Sequence, residues 1–234
     1  MFNKSADLYD AIYQNKDYAV ECEKIDQLIQ QHKQNAAKTL LDIACGTGLH
    51  ASGLKLKYSV EGLDIEQKLL DRAKDRNPDM IFHCGDMTDF ALHRQYDVIT
   101  CLFSSIGYVG TIQRLQKTLV CMLEHLNSGG VLLIEPWFTP EAYYPGRVHA
   151  LFVDRPELKI ARMNVSAIRD AISVIDFHYL VATKDGVEGF REKHELALFT
   201  HEQMMAAFGA AGFTQIKHDP IGLTDRGLYV AIKR

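Results

Sequence analysis

Short apolar runs alternate along the chain with segments whose apolar positions recur at helical spacing. The run over residues 38–45 stops at Gly46-Thr47-Gly48, which predicts a strand entering a tight turn. A helical stretch near 50–56 follows, then an apolar run over 58–64, then a charged helical segment over 66–76 closed by Asn77-Pro78-Asp79. The rhythm repeats with strands over 80–84 and 96–102, a helix near 111–126, a turn at Ser128-Gly129-Gly130 and the fully apolar strand Val131-Leu132-Leu133-Ile134. Five strands alternating with helices predict an α/β fold with a doubly wound parallel sheet, and a fully apolar strand fits a sheet covered on both faces.

After Pro136 the period changes from helical to strand-like. Segments near 148–153, 160–168, 172–181 and 190–199 are rich in β-branched and aromatic residues, and Asp154-Arg155-Pro156, Arg169-Asp170 and Asp185-Gly186 separate them. They predict a small inserted antiparallel β-subdomain over 137–199, inside one domain spanning 1–234. A helix near 201–211 ends at Gly212, and two strands near 213–218 and 227–232 close the chain. Ahead of the first strand, an amphipathic helix over 18–32 is preceded by the aromatic-rich Leu8-Tyr9-Asp10-Ala11-Ile12-Tyr13.

Composition narrows what such a fold can serve. With 26 Lys+Arg against 30 Asp+Glu the formal charge is −4, so no strong positive field draws nucleic acid or an anionic membrane, and a small-molecule partner is expected. The apolar runs fall far short of the roughly 20 residues of a membrane-spanning helix. Met1-Phe2-Asn3-Lys4 leads into Ser5, Ala6 and Asp7 with no apolar leader, so the expected location is cytoplasmic. The 5 cysteines include no Cys-x-x-Cys pair and the 10 histidines show no metal-ligand spacing, so reduced thiols and no metal site are expected.

A glycine turn between strand and helix lets a ligand approach the backbone and presents a helix N-terminus to it. Gly46-x-Gly48-x-x-Ala51 alone satisfies only a loose dinucleotide pattern. Two further features discriminate. Asp42 lies inside the first strand, where a carboxylate faces a ligand ammonium, and Asp64 ends the second strand, where an acid grips ribose hydroxyls. The third strand ends in Gly85-Asp86-Met87, offering adenine an apolar surface and an acceptor for its amine. Together these residues describe a site for adenosine joined to an amino acid.

With these motifs in this order, the sequence resembles a class I S-adenosylmethionine-dependent methyltransferase. The resemblance rests on Asp42-Ile43-Ala44-Cys45-Gly46-Thr47-Gly48, Asp64, Gly85-Asp86-Met87, Tyr96-Asp97-Val98 and Gly129-Gly130-Val131-Leu132-Leu133-Ile134-Glu135-Pro136. It implies a Rossmann-like seven-stranded sheet with an antiparallel last strand, S-adenosyl-L-methionine as cofactor and S-adenosyl-L-homocysteine as product. Shorter strings are similar to the N-methyltransferases that dimethylate amino sugars on nucleotide carriers: Leu8-Tyr9-Asp10, Lys16-Asp17-Tyr18, Phe103-Ser104-Ser105-Ile106-Gly107-Tyr108, Glu135-Pro136-Trp137-Phe138, Leu198-Phe199-Thr200 and Arg226-Gly227-Leu228. By that resemblance Tyr9 and Tyr18 close over the cofactor, and the backbone of Ala44 and Gly46, in the turn with Gly48, holds its methionine end. Asp64 binds the ribose, Asp86 and Met87 the adenine, and Phe103 lines the pocket beside the sulfonium. Some members carry His where this chain has Tyr108, and a phenol is a poor base at neutral pH.

Displacement at a sulfonium releases a neutral thioether, so the catalyst must mainly align and desolvate, and alignment supplies about 7–11 kcal/mol. The expectation is therefore catalysis by proximity without an obligatory base. The amine loses its proton to water by way of Tyr108 or His178, and Arg226 completes the candidate catalytic set. On the acceptor side Tyr13, Trp137, Tyr143 and Tyr144 are candidates to stack on a base or sugar. Arg147, Arg169 or Arg226 would pair with a diphosphate, Arg226 being favoured for its place between the last two strands. His149 and His194 read as structural. Two other readings stand beside this one: a methyltransferase for another small N or O acceptor, and a nicotinamide-dependent oxidoreductase. The second lacks a Tyr-x-x-x-Lys or Cys/His arrangement. Exposed aromatics on the inserted subdomain also suggest a homodimer.

Overall fold

The computed structural model describes residues 4–234, and Met1-Phe2-Asn3, where the leader was sought, lies outside the described residues. The alternating runs become β1 (Thr39–Ile43), β2 (Ser59–Asp64), β3 (Ile81–Cys84), β4 (Tyr96–Cys101) and β5 (Leu126–Ile134), joined by β10 (Gln215–Asp219) and β11 (Leu228–Ile232) in one seven-stranded sheet. Its order is β10-β11-β5-β4-β1-β2-β3. The first five strands pair in parallel, while β11 runs antiparallel to both its neighbours. The chain winds outward from β1 to β3 and then returns to the other side as β4 and β5. The crevice at the carboxyl end of β1 is thus the topological switch point, where doubly wound sheets bind ligands.

Both faces are covered because successive residues of the central strands are apolar and point to opposite sides. Leu41, Ile43, Ile99 and Leu132 pack toward α5 (Ile112–Glu124) and α6 (His201–Ala211). Leu40, Val98, Val131 and Leu133 pack toward α2 (Tyr18–His32) and α3 (Leu49–Leu54). Thr200 opens α6 with a reciprocal capping box to Gln203, and Gly212 closes it in the left-handed region. The Ser128-Gly129-Gly130 segment, read as a turn, is instead an irregularity inside β5. Gly129 takes φ +73°, and a Cβ on Gly130 would meet two backbone carbonyl oxygens at 2.8 and 2.9 Å. The ladder with β4 shifts register there.

A second sheet is formed by β6 (Val148–Arg155), β7 (Leu158–Arg169), β8 (Ile172–Thr183) and β9 (Gly186–Ala197), antiparallel in chain order. The short helix α1 (Tyr9–Ile12) attaches to it, with Ala11 and Ile12 buried against Val153, Ile160, Tyr179 and Val181. The Ser5 hydroxyl donates to the Glu192 carboxylate of β9, and the Lys4 backbone N–H donates to its other oxygen at 3.0 Å. Asp10, on the same segment, pairs with Arg76 at the end of α4 (Gln67–Arg76). The N-terminal segment therefore bridges the two sheets and covers the switch-point crevice. Among the described residues no helix is long and apolar enough to cross a membrane.

Candidate active site

The turn leaving β1 holds three residues at positive φ: Ala44 (+56°), Gly46 (+57°) and Gly48 (+73°). The two glycines serve different ends. A Cβ on Gly48 would lie 3.1 Å from Ala73 Cβ and from Asn77 Nδ2, so its absence lets α3 pack on α4. A Cβ on Gly46 would meet nothing within 4 Å and would point into an open cleft. The Gly46 N–H donates to Asp64 Oδ2 at 2.8 Å, and the Glu66 N–H donates to Oδ1 at 2.9 Å. Burial raises the Asp64 carboxyl above its ordinary range, although these backbone donors oppose the rise. Asp42 accepts from Thr100 Oγ1 at 2.8 Å, and burial pushes its carboxyl up to about 6. A buried carboxylate held this high is relieved by a ligand cation, which is the chemistry an ammonium supplies.

Asp86, beyond β3, accepts from the Thr88 N–H at 2.9 Å and lies 3.1 Å from Arg114 Nη2. Burial tends to raise its carboxyl, but Thr88 and Arg114 outweigh that and hold it below the ordinary range. Arg114 was not foreseen, because α5 brings it from a distant stretch of sequence.

Three cavities meet at this end of the sheet. A cleft of about 770 Å³ is lined by Asp64, Asp86, Met87, Gly46 and Arg114. A smaller one of about 360 Å³ is lined by Asp42, Ala44, Tyr18, His50 and Phe103. A third of about 1330 Å³ extends toward the second sheet past Tyr13, Phe103, Trp137, Tyr143 and Arg226. Tyr9 and Ser105 line all three, and Tyr108 lines the first and third. A carboxylate placed for ribose hydroxyls and an apolar methionine share a cleft that opens beside a buried carboxylate suited to an ammonium, so these residues fit S-adenosylmethionine. Gly48 stands behind the turn rather than on the cleft wall.

In the third cleft, Arg226 packs over Phe103 and Trp137, with its guanidinium carbon 5.2 and 5.7 Å from the ring centres. It donates to Thr224 Oγ1 and lies 3.7 Å from the fully buried Glu135. Glu135 also accepts from the Phe103 N–H at 2.6 Å, so one carboxylate fixes both Phe103 and Arg226. Trp137 donates through Nε1 to Ser173 Oγ at 2.8 Å.

Four expected residues, His178, Tyr144, Arg147 and Arg169, lie elsewhere. His178 is more than half exposed on the outer face of β8, 3.9 Å from Asp176, because the strand turns Phe177 inward to the cleft. Tyr144 is also exposed and outside the cleft, its ring covered by Arg147 at 4.6 Å. Arg169 faces Glu195 at 3.8 Å on the surface.

The structure adds residues that the sequence reading passed over. Arg162 on β7 lies over Phe177 at 4.4 Å and reaches the Tyr13 hydroxyl at 3.5 Å. Asn164 and His149 also line the cleft. His194 and Glu192 occupy consecutive inward positions of β9, and the Tyr108 hydroxyl is 2.7 Å from His194 Nδ1. The signal was present in Phe190-x-Glu192-x-His194-x-Leu196, where two titratable residues occupy positions that a simple alternation gives to apolar ones.

Residues 40–130 match a family model described as a methyltransferase domain. A dTDP-3-amino-3,6-dideoxy-alpha-D-glucopyranose N,N-dimethyltransferase of Streptomyces fradiae is 39% identical over 231 residues, covering 97% of this chain and 90% of that protein. The crystal structure of Streptomyces venezuelae DesVI superposes with a TM-score of 0.92 at 35% identity, covering 99% of each chain. SAM-bound CalS10, an amino pentose methyltransferase from Micromonospora echinaspora, superposes with a TM-score of 0.87 at 33% identity, covering 97% of each chain.

Proposed function

Because the chain belongs to the S-adenosylmethionine-dependent methyltransferases, among the dTDP-amino-sugar N,N-dimethyltransferases, we propose that it methylates the amine of a nucleotide-linked amino sugar. The observation that carries this reading is the junction of the clefts. The large acceptor cleft opens onto the cofactor cleft at Tyr9, Ser105 and Tyr108, and Arg162, Arg226 and several aromatic rings line it. Two guanidiniums and stacking surfaces are what a diphosphate, a base and a sugar require. The nicotinamide reading finds no counterpart among these relatives.

When bound, S-adenosylmethionine supplies a methyl group on a sulfonium that leaves as a neutral thioether. The chain's own residues hold it and shield the reaction. Asp42 takes the ammonium, Asp64 the ribose hydroxyls, Met87 and Asp86 the adenine, and Tyr18 closes the methionine end. Tyr9, half-buried at the junction of all three cavities, separates cofactor from solvent, while Phe103 walls the reacting centre. Arg226, fixed by Glu135 and Thr224, and Arg162, fixed over Phe177, hold the carrier so that the amine meets the methyl in line. Fixing that geometry is worth about 7–11 kcal/mol.

The reading includes a homodimer through the outer face of the second sheet, where Val148, Phe152 and Leu180 are exposed. Methylation assays read by mass spectrometry over dTDP- and UDP-linked amino sugars, with small amines, carboxylates and phenols as controls, test the function. Mono- and dimethylated amino sugar is expected. Turnover of a phenol or carboxylate with none on amino sugars overturns it.

A further inference from the structure

Alignment alone leaves the amine's proton unassigned. A sugar amine enters largely as its ammonium near neutral pH, and each methyl transfer returns a charged N-methylammonium that must be neutralised before a second. The expectation from sequence was that no group on the protein is obligatory for this. The structure points elsewhere, to a chain of three side chains: Tyr108, expected as a proton path, His194, expected to be structural, and Glu192. Tyr108 lies between the cofactor and acceptor clefts, with its hydroxyl 2.7 Å from His194 Nδ1. On the far side of that imidazole, Glu192 Oε2 lies 3.8 Å from Nε2. Glu192 is itself held by the Ser5 hydroxyl and the Lys4 backbone N–H.

We propose that His194 is the proton acceptor of the methyl transfer, reached through the Tyr108 hydroxyl, and that Glu192 is the positioning residue behind it. The proposal rests on the methyltransferase reading above. The step balances without a further reactant. The ammonium passes a proton to the Tyr108 oxygen as the Tyr108 O–H passes its own to His194 Nδ1. The amine is left neutral, the phenol unchanged and the imidazole protonated beside the Glu192 carboxylate. His194 is buried, so once the methylated product has left, the proton returns by way of the half-buried Tyr108 hydroxyl to water in the open acceptor cleft, and the relay is reset for the second methylation.

The surroundings fit such a relay. Imidazole is the side chain whose ordinary titration falls between pH 5 and 8. Burial pushes the Tyr108 phenol well above its ordinary range, so it conducts a proton in concert and does not hold a negative charge. Burial also works to raise the Glu192 carboxyl, but His194, Ser5 and the Lys4 N–H bring it down to about 2, so it is ionised throughout the working range. The other polar or charged groups around this chain include Tyr9 and Tyr13 from the N-terminal segment, Arg162 from β7, Tyr179 from β8, Arg226 across the cleft and, more distantly, Asp64. Among the described residues lining the acceptor cleft, the remaining histidine is His149, on the exposed edge strand β6.

The test is the pH dependence of kcat and the ratio of mono- to dimethylated product for His194→Gln, Tyr108→Phe and Glu192→Gln. Calorimetry with S-adenosylhomocysteine first shows that each variant keeps its cofactor site, and Tyr108→Phe serves if His194→Gln does not fold. Both His194→Gln and Tyr108→Phe are expected to lose kcat on the order of 10²-fold at pH 6.5. The loss should close as pH rises through the titration of the sugar amine, because neutral amine then arrives unaided. Monomethyl product accumulates on the acid side. Glu192→Gln moves the acid limb of the wild-type profile to lower pH. Profiles that lie parallel to wild type, or stay within threefold of it throughout, overturn the relay. Failure of the wild-type protein to methylate any amino sugar instead overturns the function.

Discussion

At the scale of single residues the site depends on carboxylates kept where water would not keep them. Asp42 is the sharpest case. The folded protein holds its proton more tightly than the unfolded chain does between the ordinary value of 3.8 and about 6. Stability is therefore withdrawn as pH rises through that window, and the loss is complete above it. Asp42→Asn, which still accepts from Thr100, is expected to raise unfolding stability at pH 7 by as much as about 3 kcal/mol. The gain should vanish below about pH 4, while affinity for S-adenosylhomocysteine falls at least tenfold. Denaturant melts at both pH values with calorimetry would read this opposition. The two glycines divide in the same manner. An alanine at either carries about 1 kcal/mol of left-handed backbone strain. Gly48→Ala also crowds Ala73 and Asn77 and so lowers Tm further, whereas Gly46→Ala mainly obstructs the cofactor cleft and lowers affinity. Residues such as Gly46, Asp64 and Asp86 were legible because one strand–turn–helix unit after another presents them at strand ends, so sequence spacing is also spatial spacing. Arg162 and His194 were not, since their partners come from elements far away in sequence.

Among elements, the first sheet was readable because its strands are apolar on both faces and bounded by glycine and acidic residues. The second sheet misled in its parity. Its outer face carries Phe152, Met163 and Leu180, as apolar as the inner face with Phe177 and Tyr179. Alternation therefore did not say which side meets the cleft, and His178 was assigned inward when it points outward. The short α1 is the element on which both proposed ligand sites lean, since Tyr9 opens it and Tyr13 caps its end, while Ala11 and Ile12 anchor it to the second sheet. Ile12→Ala is expected to remove about 3 kcal/mol of packing. The segment over 6–13 should exchange its amide hydrogens faster than the central strands, and kcat/KM for both substrates should fall together. Protection of that segment unchanged from wild type would show that α1 is held by other contacts.

For the whole molecule, a net charge of −4 is compatible with the proposed binding of a cation on one side of the site and a diphosphate on the other, because individual carboxylates and guanidiniums would answer each locally. The outer face of the second sheet sets the expected assembly. Phe152→Glu combined with Leu180→Glu should shift the protein from dimer to monomer in light scattering while leaving cofactor binding intact. A wild-type monomer at micromolar concentration would remove the homodimer from the reading.

The bond from Ser5 to Glu192 joins positions 187 residues apart in the chain. A ribosome adding about 5–20 residues per second needs roughly 9–37 s to make the strand that receives this contact after it has made the hydroxyl that gives it. Until β6, β7 and β8 have been made, the apolar side of α1 has no sheet to cover it. The first sheet also waits, because β11 and α6, which complete its core beside β5, come from the last part of the chain. Both ligand sites are therefore completed only near the end of synthesis.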